Sequence, residues 1–288
     1  ESYFECNDTM GAHETVVMQI FEIYKFEDTL NLYQRNAKGA LPREILLARS
    51  NPVKAPEGIK RLYIERSSNA SKEVILGFMV AYELNEIEFD KSSIFNSEFI
   101  EELSLLRPNL EALHIIDCDD YTDYTFQGID KLFPNLSALT LSNIETTDDL
   151  MANIFKIKNL NYLDLSCCDI SLPKEIKPLP ELKYLLLSYS KIVDRSIDRL
   201  LNYTPNLIEL SIVDLEADCD PSAFSFASSL EKLSINSDAL HVKDDKIYEL
   251  RHCLNLKRLE LSGEVRNELK PYILSLMTKV KVTFIGKN

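Results

Sequence analysis

The feature that most constrains this chain is a six-residue string, LxxLxL, which recurs along most of its length. The first residues of successive copies are separated by 25, 26, 26, 24, 22, 25, 23, 26 and 21 residues. Such regular spacing predicts a stack of structural repeats, because one short unit cannot bury its leucines alone. The copies begin at Ile59, Leu84, Leu110, Leu136, Leu160, Leu182, Leu207, Leu230, Leu256 and Met277.

Each copy predicts a short β-strand, and the segment that follows it predicts a returning helix. The alternation within LxL buries every second residue of a strand, whereas segments such as IFNSEFIEELSLLRPNL place apolar residues at i, i+3 and i+4. Proline stops the helix just before the next strand at Pro108, Pro134 and Pro205. Between Pro173 and Pro178 the chain is too short and too rich in proline for a helix, so we expect an irregular repeat there.

The longer pattern LxxLxLxxN/C resembles leucine-rich repeat proteins of the ribonuclease-inhibitor-like, cysteine-containing type over roughly residues 55–285. Cys118 and Cys168 occupy its last position, where the resemblance implies buried, structural thiols. It also implies an α/β leucine-rich repeat horseshoe, a solenoid of about ten repeats with strands inside and helices outside. Five other residues at that position predict an interrupted ladder of such contacts: Ile144, Ser190, Leu215, Asp238 and Glu264.

Composition narrows the function classes. The chain has 43 leucines but only 7 glycines among 288 residues, which argues against a glycine-rich phosphate loop. Its net charge of −14 argues against a nucleic-acid partner, and no apolar run is long enough for a membrane span. The six cysteines lack metal-ligand spacing, and the four histidines lie in no catalytic motif. We therefore expect no cofactor, no metal and no enzymatic activity.

Residues 1–54 precede the repeats and predict a helical N-terminal cap, which shields the open core of the repeat domain at 55–288. Residues 13–34 are dense in apolar side chains on more than one face and predict one or two helices. A short helix is predicted to begin at Pro42, because proline suits the first helical position.

The string TVVMQIFEIY is similar to the elongin-binding box of cullin-RING substrate receptors, and LPREILLAR is similar to the cullin-binding half of that motif. In the zygote-defective group of leucine-rich repeat receptors this box precedes the repeats. Val16 and Ile20 depart from the Leu and Cys that are usual in the box. The resemblance implies elongin and cullin as partners and the adaptor-binding residues Thr15, Val16, Ile20, Tyr24, Leu41, Pro42 and Ile45.

Side chains between the leucines are expected to face the concave surface, because neighbouring residues of a strand point to opposite sides. Apolar and aromatic residues gather there in the middle repeats, as in binding patches. The predicted substrate-binding residues are His114, Ile116, Tyr162, Asp164, Tyr184, Leu186 and Val213. The loops that follow the strands form an acidic rim, with Asp117, Asp119, Asp120, Asp214, Glu216 and Asp218.

The acidic loops do not match a calcium-binding EF-hand, since no Gly lies at the turn and no Glu closes a twelve-residue loop. They are expected to attract a basic segment of a protein substrate. The sequence thus predicts a protein-recognition module, most concretely the substrate-recognition subunit of a cullin-RING E3 ubiquitin ligase in the cytoplasm or nucleus. The alternative is a secreted or scaffold leucine-rich repeat domain with no ligase link.

Overall fold

The chain forms two compact units, Glu1–Leu136 and Ser137–Asn288, which are described separately. We call them unit 1 and unit 2. The computed structural model describes residues 19–26, 29–36, 60–65, 72–81, 83–93, 95–118, 121–175, 177–218, 221–236, 250, 252–263, 265, 267 and 269–285. No helix in these ranges is long and apolar enough to cross a lipid bilayer.

Unit 1 contains five strands that follow one another in chain order across its sheet. The first two are antiparallel, and each later strand is parallel to its predecessor. The repeat register is as predicted, since Leu62, Ile87 and Leu113 lie side by side and are buried. The strands are β1 (Gln19–Phe26), β2 (Thr29–Asn36), β3 (Arg61–Glu65), β4 (Glu86–Asp90) and β5 (Ala112–Ile116).

The helices predicted within residues 13–34 are wrong over the described part, where β1 and β2 form a hairpin. Apolar density on several faces suggested a helix, but TLNLY alternates with the period of a strand. Leu30 and Leu32 are the register partners of Leu62 and Ile64, so β2 adds a parallel strand upstream of the first recognised copy. The short helix predicted at Pro42 lies outside the described residues.

The connections of unit 1 return as helices, and aromatic rings fill the space beneath its sheet. The Asn96 side chain accepts a hydrogen bond from the Phe99 N–H (2.9 Å) and so caps the helix that begins at Ser97. The Phe89 ring meets Phe95 and Phe99 edge-on, with centroids 5.6 Å apart in both pairs. The helices are α1 (Lys72–Ala81), α2 (Ser97–Leu106) and α3 (Ile129–Leu132), with a 3-10 turn at Asp123–Phe126.

Unit 2 contains a parallel sheet of seven strands that also follow chain order. The second leucines of the repeats line up across it and are fully buried, from Leu139 through Leu163, Leu185, Leu210 and Leu233 to Leu259. The strands are β6 (Ala138–Ser142), β7 (Tyr162–Asp164), β9 (Tyr184–Leu186), β11 (Glu209–Ile212), β13 (Lys232–Asn236), β14 (Arg258–Ser262) and β15 (Lys281–Ile285).

The last copy of the repeat has a different register from the predicted one. Val282 and Phe284, rather than Val280 and Val282, are the partners of Leu259 and Leu261. The string KVKVTF alternates over six residues, so a shift by two residues keeps the same side chains on the same face. Periodicity alone therefore could not fix the register here.

The described helices of unit 2 are six to eight residues long. Its helices are α4 (Asp148–Ile154), α5 (Ile197–Asn202) and α6 (Leu269–Leu276), with a 3-10 turn at Pro221–Phe226. A second small parallel sheet, which the sequence analysis missed, contains β8 (Asp169–Ile170), β10 (Lys191–Ser196) and β12 (Glu216–Asp218). Described residues between Pro173 and Pro178 form no helix, as expected.

A residue with a left-handed backbone lies one to three positions after seven of the described strands. The φ angles are 51° at Lys91, 51° at Asp117, 54° at Asn143, 61° at Cys167, 60° at Tyr189, 51° at Asp214 and 87° at Gly263. At Asn143, Cys167 and Tyr189 the N–H of this residue donates to a carbonyl of the next repeat, that of Ser166 (3.1 Å), Ser188 (3.0 Å) and Val213 (2.8 Å) respectively. At these turns a backbone hydrogen bond therefore joins one repeat to the next.

The residue after the left-handed position continues this ladder inside the core. The Cys168 thiol lies 2.9 Å from the Leu141 carbonyl, and the Ser190 hydroxyl donates to the Leu165 carbonyl (2.7 Å) while accepting from the Cys168 N–H (3.2 Å). Burial raises the pKa of Cys168 to about 12, which keeps the thiol protonated as a donor. The structural role predicted for Cys118 and Cys168 is confirmed, since both are buried and each thiol lies against backbone carbonyls of its own and the preceding repeat. The break predicted at Ser190 is wrong, because a hydroxyl makes the same bond as a thiol.

We predict that Ser190→Val lowers the free energy of unfolding by about 2 kcal/mol, because it leaves a buried carbonyl and a buried N–H without their partner. Ser190→Cys, the matched control, should stay within about 1 kcal/mol of wild type, since Cys fills the same position in a neighbouring repeat. Urea unfolding followed by circular dichroism measures both variants. A Ser190→Val protein as stable as wild type would contradict the ladder.

Candidate binding surface

Two tyrosines meet on the open face of the unit 2 sheet, the face opposite the buried leucines. Tyr162 and Tyr184 are register partners on β7 and β9, and their ring centroids are 6.5 Å apart. Asp164 and Leu186 are paired in the same two strands. Tyr184 is 37% exposed and Leu186 is half-buried. We call Tyr162, Tyr184 and Leu186 the tyrosine patch; the predicted proximity of the two tyrosines is confirmed, and that of Leu186 stays a prediction.

The phenol of Tyr162 is held in its neutral form. Burial raises the pKa of Tyr162 to about 12, and the negative charge of Asp164 acts in the same direction. Asp164 itself accepts a hydrogen bond from the Ser166 N–H (2.9 Å). The patch therefore offers an uncharged hydroxyl beside a fixed carboxylate, a suitable surface for donors on a ligand.

A charged network lies on the same face, two strands further along. Lys232 Nζ is 2.7 Å from Glu209 and 3.7 Å from Glu260, and the Ser234 hydroxyl donates to Glu260 (2.6 Å). The hydrogen bond with Glu209 raises the pKa of Lys232. Glu209 is the register partner of both Tyr184 and Lys232, so the network begins beside the tyrosine patch. The sequence analysis did not predict it, although opposite charges at one position of consecutive repeats were the available signal.

Small side chains surround the tyrosines on the strands and at their ends. The Ser188 and Ser211 hydroxyls are 2.9 Å apart, and the Ser142 hydroxyl donates to the Ser166 carbonyl (3.1 Å). Val213, a predicted contact residue, is half-buried at the end of β11. Since serines satisfy one another and extend little from the sheet, the aromatic rings are the most prominent apolar groups of this region.

The predicted contact residues His114 and Ile116 lie on β5 of unit 1, and both are half-buried. His114 Nε2 is 3.6 Å from Glu86, and Glu86 also pairs with Arg61 (2.8 Å). Burial raises the pKa of the neighbouring Glu88. Arg61, Glu86 and His114 thus form a polar cluster within unit 1.

The acidic rim has a structural explanation at two positions. Asp117 and Asp214 adopt the left-handed turn conformation, which Asp tolerates better than most residues. Asp117 lies 3.5 Å from Lys91, and Asp214 accepts a hydrogen bond from Asn236 (2.8 Å). Glu216 and Asp218 lie on β12, and Asp119 and Asp120 lie outside the described residues. Within the described ranges, no three His, Cys, Asp or Glu side chains are grouped as metal ligands.

The predicted adaptor-binding residues are only partly described. Ile20 and Tyr24 lie on β1, where the resemblance to an elongin-binding box implies a helix; that helix is not formed over Gln19–Phe26. Strand-forming aromatic and β-branched residues in this segment favour pairing with β2. Thr15, Val16, Leu41, Pro42 and Ile45 lie outside the described residues.

A cavity of about 490 Å³ opens in unit 1 at the start of β4 and β5. Its lining includes Lys60 and Arg107 as well as Glu83 and Glu111. Both signs of charge are present, so this cavity does not select a ligand by charge. The sequence analysis did not find it, because the lining comes from the ends of strands and from the residues after α2.

No protein-family model matches this sequence, and no curated protein matches it either. The fold is similar to solved structures, among them an internalin (InlF) of Listeria monocytogenes, with 17% identity and a TM-score of 0.49 over 80% of this chain and 67% of that one. Internalin C2 of the same species has 19% identity and a TM-score of 0.47 over 75% and 84% of the two chains.

A third structure, a complex of TLR13 with ssRNA13, has 18% identity and a TM-score of 0.48 over 77% of this chain and 36% of that one. Such likenesses concern the fold alone. The assignment of the fold rests on the repeat register and on the hydrogen bonds at the turns. The chain has a leucine-rich-repeat-like α/β fold with parallel strands and returning helices.

The raised pKa of Tyr162 predicts a stability loss in alkali. Tyr162 loses its proton near pH 10 in the unfolded chain but keeps it to about pH 12 in the folded chain. Its contribution to the free energy of unfolding is therefore complete below pH 10 and is lost as the pH rises towards 12. We expect unfolding free energy to fall more steeply in this window for wild type than for Tyr162→Phe. Urea unfolding at several pH values measures this pH dependence. Tyr124→Phe is the control, because the Tyr124 ring is exposed. Parallel profiles for wild type and Tyr162→Phe would contradict the assignment.

Proposed function

We propose that unit 2 is a protein-recognition module that binds its partner through the tyrosine patch. The observation that carries this proposal is the in-register pair Tyr162 and Tyr184 on the open face of the sheet, with a 37% exposed ring at Tyr184. Tyrosine combines a large rigid apolar area with a polar tip, and it is enriched among the residues that dominate binding energy. The chain acts by binding rather than by catalysis.

The charges beside the patch indicate the chemistry of the partner. Asp164 lies within the patch region, and Glu209 lies on the adjacent strand. The whole chain has a net charge of −14, which adds a long-range attraction for cations. We infer that the partner presents an apolar anchor flanked by Lys or Arg side chains, and that association slows as salt concentration rises.

Tyr184→Ala should weaken partner binding by about 2 kcal/mol or more, the usual magnitude for a central aromatic residue. The same change should alter folding stability by less than about 0.5 kcal/mol, because the ring lies on the open face of the sheet rather than in the core. Partner affinity and thermal unfolding are measured on one variant.

Tyr124→Ala is the matched control, since this ring is 73% exposed and belongs to unit 1. It should leave partner affinity unchanged. If Tyr184→Ala keeps full affinity, or if both variants lose affinity equally, the binding surface does not lie at the tyrosine patch.

The role of substrate receptor in a cullin-RING ligase stays a prediction of residues 1–54. The described cysteines, Cys118, Cys167, Cys168 and Cys253, form no disulfide, which fits a cytoplasmic or nuclear protein. The hypothesis predicts that elongins and a cullin co-purify with the chain from cells and that Ile20→Asp removes them. Mass spectrometry of the captured proteins measures this. A captured protein whose binding requires Tyr184, with no elongin among the captured proteins, would contradict the ligase hypothesis. The same result would support the recognition function.

A further inference from the structure

Three cations occupy the same position of consecutive strands on the open face of the unit 2 sheet. Lys232 on β13, Arg258 on β14 and Lys281 on β15 are register partners. Lys232 lies between two carboxylates, 2.7 Å from Glu209 and 3.7 Å from Glu260. Arg258 and Lys281 are exposed, and in the part of the chain that the structure describes neither is within salt-bridge distance of a carboxylate. We call Arg258 and Lys281 the cation pair.

The charge of the cation pair is not balanced by its own strand. Glu260 follows Arg258 by two residues on the same face of β14, but its carboxylate is engaged with β13. It accepts a hydrogen bond from the Ser234 hydroxyl (2.6 Å) and lies 3.7 Å from Lys232. Parallel strands lie about 4.8 Å apart, and like charges at neighbouring positions of a sheet repel each other. An anionic group of a ligand would therefore be stabilised at the cation pair.

The cation pair and the tyrosine patch lie at a fixed separation on the same open face. Tyr184 on β9 is three strand spacings from Arg258 on β14, which corresponds to about 14 Å. Asp164, on β7 beside the patch, supplies a carboxylate at the other end of this path. The charges of the network around Lys232, which lies between the two ends, are paired with one another. The open face thus has a negative end at the tyrosine patch and a positive end at the cation pair.

We propose that unit 2 binds an extended segment of bipolar charge that lies across the strands, with Lys or Arg beside Asp164 and Asp or Glu at the cation pair. This inference rests on the proposed function, because the tyrosine patch holds the apolar anchor next to the basic residue. An extended chain advances about 3.3 Å per residue, so the acidic residue lies about five positions from the anchor. Its carboxylate accepts charge-assisted hydrogen bonds from Arg258 and Lys281.

The probes are two fluorescent nine-residue peptides with blocked termini, KKLTSTSEE and KKLTSTSKK, titrated against the full chain and followed by anisotropy. The spacer places the first residue of the charged tail about 17 Å from the Leu anchor. Wild type should bind the peptide with the Glu tail about tenfold more tightly than the one with the Lys tail. Attraction by the net charge of −14 alone predicts the reverse order, so the two explanations are separated on wild type without any variant.

Arg258→Glu combined with Lys281→Glu should reverse this preference, because the tail then meets two charges of opposite sign to those of wild type. The matched control, Lys158→Glu with Lys177→Glu, makes substitutions to Glu at exposed lysines on connecting segments of unit 2 and should keep the wild-type preference within threefold. Shortening the spacer to a single Thr should reduce the preference of wild type below threefold, since the anchor and the tail are then only about 7 Å apart. Thermal unfolding of each variant checks that it is folded.

Tyr184→Ala distinguishes a failure of this inference from a failure of the proposed function. If both peptides bind wild type equally and both are weakened by Tyr184→Ala, the proposed function stands and the bipolar segment is wrong. A wild-type preference for the Lys tail, or a preference that the charge reversal leaves unchanged, also overturns the bipolar segment. If neither peptide binds, or if Tyr184→Ala weakens neither, the proposed function and this inference are both contradicted.

Discussion

The left-handed turn that follows seven of the described strands is the contact on which the remaining structure depends. A left-handed residue there redirects the chain, and its N–H bonds to the next repeat, as at Asn143, Cys167 and Tyr189. The following Cys or Ser then bonds back to the preceding repeat. Neighbouring repeats are thus joined in both directions at one point, and this fixes the register in which their leucines are buried.

The proposed binding surface is a consequence of that register. Parallel strands lie about 4.8 Å apart, so residues at one position of successive repeats become neighbours. This relation brings Tyr162 beside Tyr184 and sets Glu209 next to Lys232. Rigid spacing favours binding, because the partner meets side chains that are already arranged.

Most of the fold was predictable from sequence, because buried leucines at a fixed spacing leave few arrangements. The predictions that were wrong concern positions whose sequence fits more than one local structure or contact. In residues 19–36, a chain with apolar side chains on several faces fits either a helix or a strand, and pairing with β3 decides the outcome. At Ser190, one hydroxyl replaces a thiol, which a consensus pattern does not reveal. The tyrosine patch follows from spacing alone, whereas the network around Lys232 needed the side-chain geometry.

The most direct test of this account is residue-resolved amide hydrogen exchange at the strand-ending turns. Exposed loop amides ordinarily exchange fast, but the N–H groups of Asn143, Cys167 and Tyr189 donate to carbonyls of the next repeat. We predict that these three amides exchange as slowly as those of the buried leucines, near the rate set by global unfolding. Exchange at the rate of an unprotected loop in all three would contradict the account.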